Sequence, residues 1–446
     1  MHKEAIGRLL GDNKKAVAIN VIVISNAFIW YSYAFNYLLT AINASKIESQ
    51  LMLIITVHFT TLFAALLLGQ FLSNKIKDRI SFLLWWTLAG VFLSIVPLVT
   101  GIGYNGLLVF SVITGFNFGF GIPVCLGYFS STTEANHRGK LGGILFLLIG
   151  VGSFVLSFIG TETLITMTLV LSIWRATGLL FLILLKPEKQ EFSQKQMSYK
   201  SILVDRSFLL YFIPWTIFLF VNSLAFPAIQ KHTNLFPSDL VVFSSHVEFV
   251  LAGLSGAVFG FFADSKGRKR LAVAGFSLLG VGYAILGFTQ GAIVGWWIYT
   301  FIDGIAWGCF AMIFVFTVWG DLAEGRRSEK IYAIGLMPYL LSTFIRYSIG
   351  GLLISSTLLD DFASIFSFFS FFLFVAVLPL VFAQETLSEQ TIKNNDLKNY
   401  VEKAQKKLSK VQGSQNNQNE RDSSKAESQK ESCEYKKAQE LAEKYY

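Results

Sequence analysis

The chain reads as an all-α integral membrane protein of twelve transmembrane helices in two six-helix bundles, with both termini cytoplasmic. Three observations predict this: the composition, the spacing of the apolar runs, and an internal repeat. Hydrophobic residues make up 53% of the 446 positions and charged residues only 15%, whereas a soluble domain carries about 25% charged because water must wet its surface. Phe alone accounts for 43 positions. A soluble domain and a disordered chain are both excluded. The charge is also uneven, since residues 384–446 hold 12 of the 37 Lys and Arg and 11 of the 29 Asp and Glu. The composition therefore describes a membrane body followed by a charged tail.

A spanning helix needs about 20 mostly apolar residues to cross about 30 Å of hydrocarbon. Twelve segments qualify: 16–40, 50–73, 81–103, 105–131, 141–160, 164–186, 208–230, 240–263, 271–290, 293–320, 331–356 and 361–383. The opening MHKEAIGRLLGDNKK leads into the first of these without a small-residue cleavage site, so it reads as a retained span. GIGYNG near 101–106 and TQGAI near 289–293 read as tight turns between antiparallel neighbours. An even number of spans puts both termini on one side. The loops of that side carry 21 of the 25 basic residues of the body, while the other side has only Lys46 and Lys231. The positive-inside rule makes the basic side cytoplasmic.

The repeat covers two loops. GQFLSNKIKDRI (Gly69 to Ile80) after span two matches GFFADSKGRKRL (Gly260 to Leu271) after span eight, 191 residues later. TTEANHRGKLGG after span four matches GDLAEGRRSEKIYAIG after span ten in its acid, its Arg and its Gly. The units expected are thus 1–186, a cytoplasmic linker 187–207, 208–384, and a tail 385–446.

These residues resemble the major facilitator superfamily over the membrane body. Gly260, Asp264, Gly267, Arg268 and Lys269 are similar to the signature of its loop 8–9, and Glu134, Arg138 and Gly139 to its loop 4–5 motif. AQETLSE (383–389) resembles the ending of many members. The loop 2–3 copy departs, with Ser73 where the acid would stand and Ile76 where the Gly would. The resemblance implies that these loops gate the cytoplasmic side by joining the halves in one state and releasing them in the other. Asp264 falls at a helix C-terminal end, where the dipole disfavours an anion, so it needs a basic partner such as Arg268 or Arg270.

Four charges fall near mid-span: Arg175, Glu248, Asp303 and Arg346. Each costs roughly 2.5 to 3.5 kcal/mol on insertion scales, so all four must face the protein interior. Tyr339, Ser342, Thr343, Arg346 and Gly350 share one face of span eleven; Ser244, Ser245, Glu248 and Ser255 one of span eight; Tyr299, Thr300, Asp303 and Trp307 one of span ten. Glu248 and Asp303 are the candidates for proton binding. Arg346 is the candidate holder of a substrate carboxylate or phosphate, or the counter-ion of one acid; the plain alternative is a structural ion pair. Arg175 is a further candidate, and His58 on span two is a lone titratable group that equally suits packing.

In the family, spans one, four, seven and ten line the substrate path. That implies Asn26, Trp30, Tyr33 and Asn36 on span one, Asn117 on span four and Asn222 on span seven as substrate contacts, with interhelical hydrogen bonding as the competing role. Cys125, Cys309 and Cys433 give no disulfide framework or metal spacing. No cofactor is expected, and no nucleic-acid partner. In the tail, 393–410 and 425–445 read as amphipathic stretches around a polar GSQNNQNE run.

The expectation is a secondary transporter, not an enzyme. It works by alternating access as a multi-pass monomer of the cell membrane, with a small organic, plausibly anionic solute, protons and the lipid bilayer as partners. Many drug antiporters of the family carry a Gly-rich, Pro-containing motif on span five; here that span has Gly142, Gly143, Gly150 and Gly152 but no Pro, so the resemblance implies uptake or facilitated transport, with proton-coupled uptake the expectation. A facilitator or an efflux antiporter of the same fold is the alternative. A transporter-like sensor signalling through its tail is the alternative of a different class.

Overall fold

The computed structural model describes residues 14–44, 48–73, 75–76, 78–101, 103–159, 163–185, 197–323 and 326–387, with scattered positions of the tail. Residues 187–196 of the linker and most of the two tail stretches lie outside the described residues. Among the described residues, twelve helices are long and apolar enough to cross a membrane. They are α1 (Lys14–Ala44), α2 (Glu48–Ser73), α3 (Arg79–Thr100), α4 (Tyr104–Thr132), α5 (Ala135–Ser157), α6 (Leu164–Leu185), α7 (Arg206–Lys231), α8 (Ser238–Lys266) and α9 (Arg268–Thr289). α10 (Ile293–Leu322), α11 (Glu329–Ser355) and α12 (Phe362–Phe382) complete the set.

Start and stop chemistry sets several ends. Asp78 caps α3 by accepting from Ile80 N at 3.0 Å, and Asp205 caps α7 by accepting from Ser207 N at 2.8 Å. Asp361 caps α12, accepting from Ala363 N at 3.1 Å; with Ser364 also hydrogen-bonded to it, its carboxyl is held below the ordinary range. Gly101 and Gly291, with φ of 72° and 95°, turn the chain at the two glycine-marked corners. α5 begins at Ala135, six residues before the start read from hydropathy, so Arg138 and Gly139 belong to a helix and not to a loop.

In the amino-terminal half α1 packs on α4, α5 and α6, α2 on α4, and α3 on α4 and α6; in the other half α7 packs on α11 and α12, α8 on α10, and α9 on α10 and α12. The halves meet chiefly through α2 with α11 and α5 with α8, and also through α5 with the unwound part of α10 and α4 with α11. Adding six to each member of the first pair turns it into the second, as two like-oriented repeats require. Small residues permit the closest crossing. A Cβ on Gly143 would stand 2.4 Å from the Gly256 carbonyl, and one on Gly260 would stand 2.5 Å from the Gly139 carbonyl. Each helix therefore offers a Gly-x-x-x-Gly ridge, 139–143 on α5 and 256–260 on α8. Large apolar side chains such as Trp85, Phe92, Val99 and Phe288 face outward, where lipid replaces water.

Two helices are locally unwound into π turns: α10 at Ala311–Thr317 and α11 at Ile345–Ile349. Such turns free backbone groups and re-aim side chains, and they concentrate at functional sites. The second one carries Arg346.

Candidate functional site

A cavity of about 410 Å³ lies between the halves. α1 lines it with Phe28, Tyr31, Ser32, Phe35, Asn36 and Leu39, a stripe at spacings of three and four. Ser32 and Asn36 are exposed within it although both sit in a membrane span. The facing wall is Trp215, Asn222, Trp307, Tyr339, Ser342, Thr343 and Arg346. Among the described residues lining it, Arg346 alone carries a formal charge. Its guanidinium lies 3.6 Å from the Phe226 ring centroid and 5.6 Å from that of Tyr347. Stacked between rings, with Nε making no hydrogen bond, the group keeps donors available to an anion.

The carboxyl groups of Glu248 and Asp303 lie within hydrogen-bonding reach of each other, and Arg346 acts on both electrostatically. Asp303 is 1% exposed. The approach depends on Gly304, where a Cβ would sit 2.8 Å from the Glu248 carbonyl oxygen. This acid pair stands behind the cavity wall, between α8 and α10, with Tyr299 and Tyr283 beside it.

The other candidate residues fall elsewhere. Arg175 is fully buried among α1, α3 and α6, donating to Asn26 Oδ1 at 3.0 Å, with its guanidinium 4.4 Å from the Trp86 ring and 5.4 Å from Trp30. Asn26 in turn donates to the Trp174 carbonyl at 2.6 Å. Asn117 Nδ2 donates to the Trp86 backbone carbonyl at 3.5 Å while the Asn117 backbone carbonyl accepts from Trp86 Nε1 at 2.6 Å, and Tyr33 donates to the Ile159 carbonyl at 3.4 Å. These four side chains fill helix interfaces, whereas Asn222 and Arg346 line the cavity. On α1, Asn26, Trp30 and Tyr33 turn to α6, α3 and the end of α5, and the opposite face, with Phe28, Tyr31 and Phe35, meets the cavity. Both faces mix aromatic and polar residues, so hydropathy could not rank them. The spacing of Phe28, Tyr31, Phe35 and Leu39 is the signal that marks the cavity face.

The basic-loop ends of the helices are joined across the halves. Asp264, 1% exposed at the end of α8, accepts from Gly139 N at 2.9 Å and Lys140 N at 2.8 Å in the first turns of α5, and from Arg268 at 3.1 Å. Arg138 pairs with Asp321, which also faces Arg268 Nε at 3.1 Å. Arg268 donates to the Ala135 carbonyl. Gly267, at a φ of 97°, leaves room for Glu385, which accepts from Arg268 N at 2.8 Å and Lys269 N at 3.1 Å. On the other side of the interface Glu329 at the start of α11 pairs with Arg79 and lies 3.4 Å from Arg327, while Arg327 donates to the Ser73 carbonyl at 2.6 Å. Glu134 is exposed and makes no capping hydrogen bond. Asp321, Glu329 and Arg79 were not singled out from the sequence as partners, because their partners lie 183 and 250 positions away.

The solved structures similar to this chain share this architecture. The crystal structure of the human organic anion transporter MFSD10 aligns with 83% of this chain and 99% of its own, at 13% identity and a TM-score of 0.59. That of the proton:xylose symporter XylE, bound to 6-bromo-6-deoxy-D-glucose, aligns with 84% of this chain and 97% of its own, at 15% identity and a TM-score of 0.65. The fold is that of the major facilitator superfamily. No protein-family model matches the sequence, and no curated protein sequence does. At these identities the likeness establishes the fold, and the chemistry must come from the residues. Within the superfamily fold, the ion-paired layer closes one face of the interface between the halves, and the cavity lies beyond it.

Proposed function

We propose that this chain is a secondary transporter that carries a small organic anion by alternating access, coupled to protons. The observation that carries the reading is the cavity between the halves: closed at the basic-loop face by buried ion pairs, lined by aromatic rings, and holding Arg346 as its one charged lining residue. Two rigid halves joined by such a layer can rock when it breaks, which exposes the cavity to the other face. An anion with an apolar body suits rings on both walls and a guanidinium at one end. The human organic anion transporter among the similar structures agrees with this choice.

Coupling is assigned to Glu248 and Asp303. Two carboxylates at hydrogen-bonding range repel each other, and one shared proton turns the repulsion into a hydrogen bond. Arg346 acts on both acids and lines the cavity, so an arriving anion competes with them for the same positive charge. Anion binding then favours proton uptake by the pair.

The test uses purified protein in liposomes loaded with a pH-sensitive dye, with pools of organic acids, amino acids, sugars and cationic drugs added outside. An organic-acid pool should acidify the lumen, and Glu248→Gln and Asp303→Asn should each abolish that signal. Equilibration of a labelled anion without proton movement refutes the coupling and leaves a facilitator. No movement of any pool refutes the transporter reading. Removal of residues 390–446 separates transport from sensing, because a transporter should keep moving solute without the tail.

A further inference from the structure

His58 and Tyr31 form a hydrogen-bonded pair in the amino-terminal half that takes no part in the gate or the acid pair. His58 is fully buried on α2, ringed by Tyr31, Phe35 and Phe59 with centroids 5.8, 5.1 and 5.2 Å away. Its Nδ1 lies 2.9 Å from the Ser111 carbonyl of α4, and its Nε2 lies 2.9 Å from Tyr31 Oη. Tyr31 lines the cavity and stacks on Phe118 at 3.9 Å. Its hydroxyl also feels those of Tyr339 and Tyr347 across the cavity.

Proton bookkeeping decides what this hydroxyl can offer. A carbonyl oxygen only accepts, so Nδ1 must carry the ring hydrogen. In a neutral imidazole that leaves Nε2 as a bare acceptor, and Tyr31 must donate its single hydrogen to it. We infer that Tyr31 Oη faces the cavity as an acceptor only, and that the transported anion therefore carries a hydroxyl or N–H donor on the part remote from its anionic group. The inference rests on the transporter reading above, with Arg346 on the opposite half holding the anionic end. The two walls thus have opposite polarity: guanidinium donors on α11 and a phenolic acceptor on α1. A solute that presents a lone pair to Tyr31 would leave two acceptors facing each other in a confined site, a mismatch that discriminates by about tenfold or more.

Two measurements test it. The first needs no substrate. Protein labelled with ¹⁵N-histidine is reconstituted in lipid nanodiscs, and the His58 signals are assigned by their loss in His58→Gln. The expected spectrum is a neutral ring protonated at Nδ1, with an unprotonated Nε2 whose shift moves in Tyr31→Phe. A ring protonated at Nε2, or at both nitrogens, overturns the inference, because Tyr31 would then be free to donate. The second compares uptake of 4-hydroxyphenylacetate and 4-methoxyphenylacetate into liposomes. The hydroxyl compound should be favoured about tenfold or more by the native protein and less than about twofold by Tyr31→Phe. Equal uptake by the native protein overturns the inference and leaves the transporter reading standing. Uptake of neither counts against both.

Discussion

Asp264→Asn removes a charge that ties the carboxy-terminal half to the amino-terminal one. The native carboxylate accepts from Gly139 N at 2.9 Å, Lys140 N at 2.8 Å and Arg268 at 3.1 Å. An amide in the same place keeps one acceptor oxygen. Its NH2 must then face either the Lys140 N–H or both the Gly139 N–H and the Arg268 guanidinium, donor against donor. At least one charge-assisted bond is lost, each worth about 1.5 to 3 kcal/mol. The bonds to α5 exist only while the halves are closed at this face, so their loss acts on the closed state alone. A change of about 2 kcal/mol shifts the closed-to-open ratio by roughly 30-fold. A closed fraction near 99% would then fall to roughly 75%.

Pulsed electron paramagnetic resonance can read this. Spin labels go on Lys75→Cys and Arg270→Cys, exposed positions of opposite halves at the basic-loop face, in a background lacking Cys125, Cys309 and Cys433. The native protein should give one short distance, and Asp264→Asn a second, longer population of tens of per cent. Glu134→Gln serves as the control, since that side chain is exposed and caps nothing; it should leave the distribution unchanged. An Asp264→Asn distribution that matches the native one would falsify the latch, and the basic residues of this loop would then only orient the chain in the membrane.

Three further outcomes are expected. Arg346→Gln should abolish uptake of the organic-acid pool, and Arg346→Lys should restore only part of it, because the planar fork stacked on Phe226 is what meets a carboxylate; liposome uptake checks both. Asn26→Leu should cost about 1 to 3 kcal/mol of stability, because it deprives the buried Arg175 of an acceptor. Arg175→Met should cost less, since it removes the buried charge as well; thermal unfolding of the purified proteins ranks the two, and the opposite order would refute the argument. Gly143→Leu should force α5 and α8 apart, since a Cβ there already meets the Gly256 carbonyl at 2.4 Å. The same spin-label pair should report the open distance.

The twelve spans were legible because a membrane asks for long apolar helices and little else, and glycines and loop charges mark their ends. The polar face of α11 was legible too, since Tyr339, Ser342, Thr343 and Arg346 repeat at helical spacing and line the cavity together. What spacing cannot convey is which neighbour a face meets. Ser244 on α8 accepts from Trp296 Nε1 at 2.9 Å, and Ser255 contacts the α10 backbone, so that polar stripe serves a helix interface. Asn26 and Asn117 likewise hold helices together. A polar residue at mid-span must find a partner, and one sequence does not say whether the partner is another helix or a solute.

The degraded loop 2–3 motif shows why a missing residue need not be a missing interaction. Ser73 stands 191 positions before Asp264 and has no carboxylate to offer α11. The structure supplies the acid from the other partner: Glu329, on α11 itself, takes Arg79 from the first half, while the Ser73 carbonyl accepts from Arg327. The consequence is a one-sided layer. Asp264, Asp321 and Glu329 all belong to the carboxy-terminal half, and the amino-terminal half answers with Arg79, Arg138 and the backbone N–H groups of Gly139 and Lys140. The carboxy-terminal half also brings Arg268 and Arg327 into the layer, so the attraction runs between particular pairs and net charge does not set the register. Specific closure then depends on the directional parts: the two N–H bonds to Asp264 and the close glycine crossing of α5 and α8. Charge draws this face together, and geometry decides where it stops.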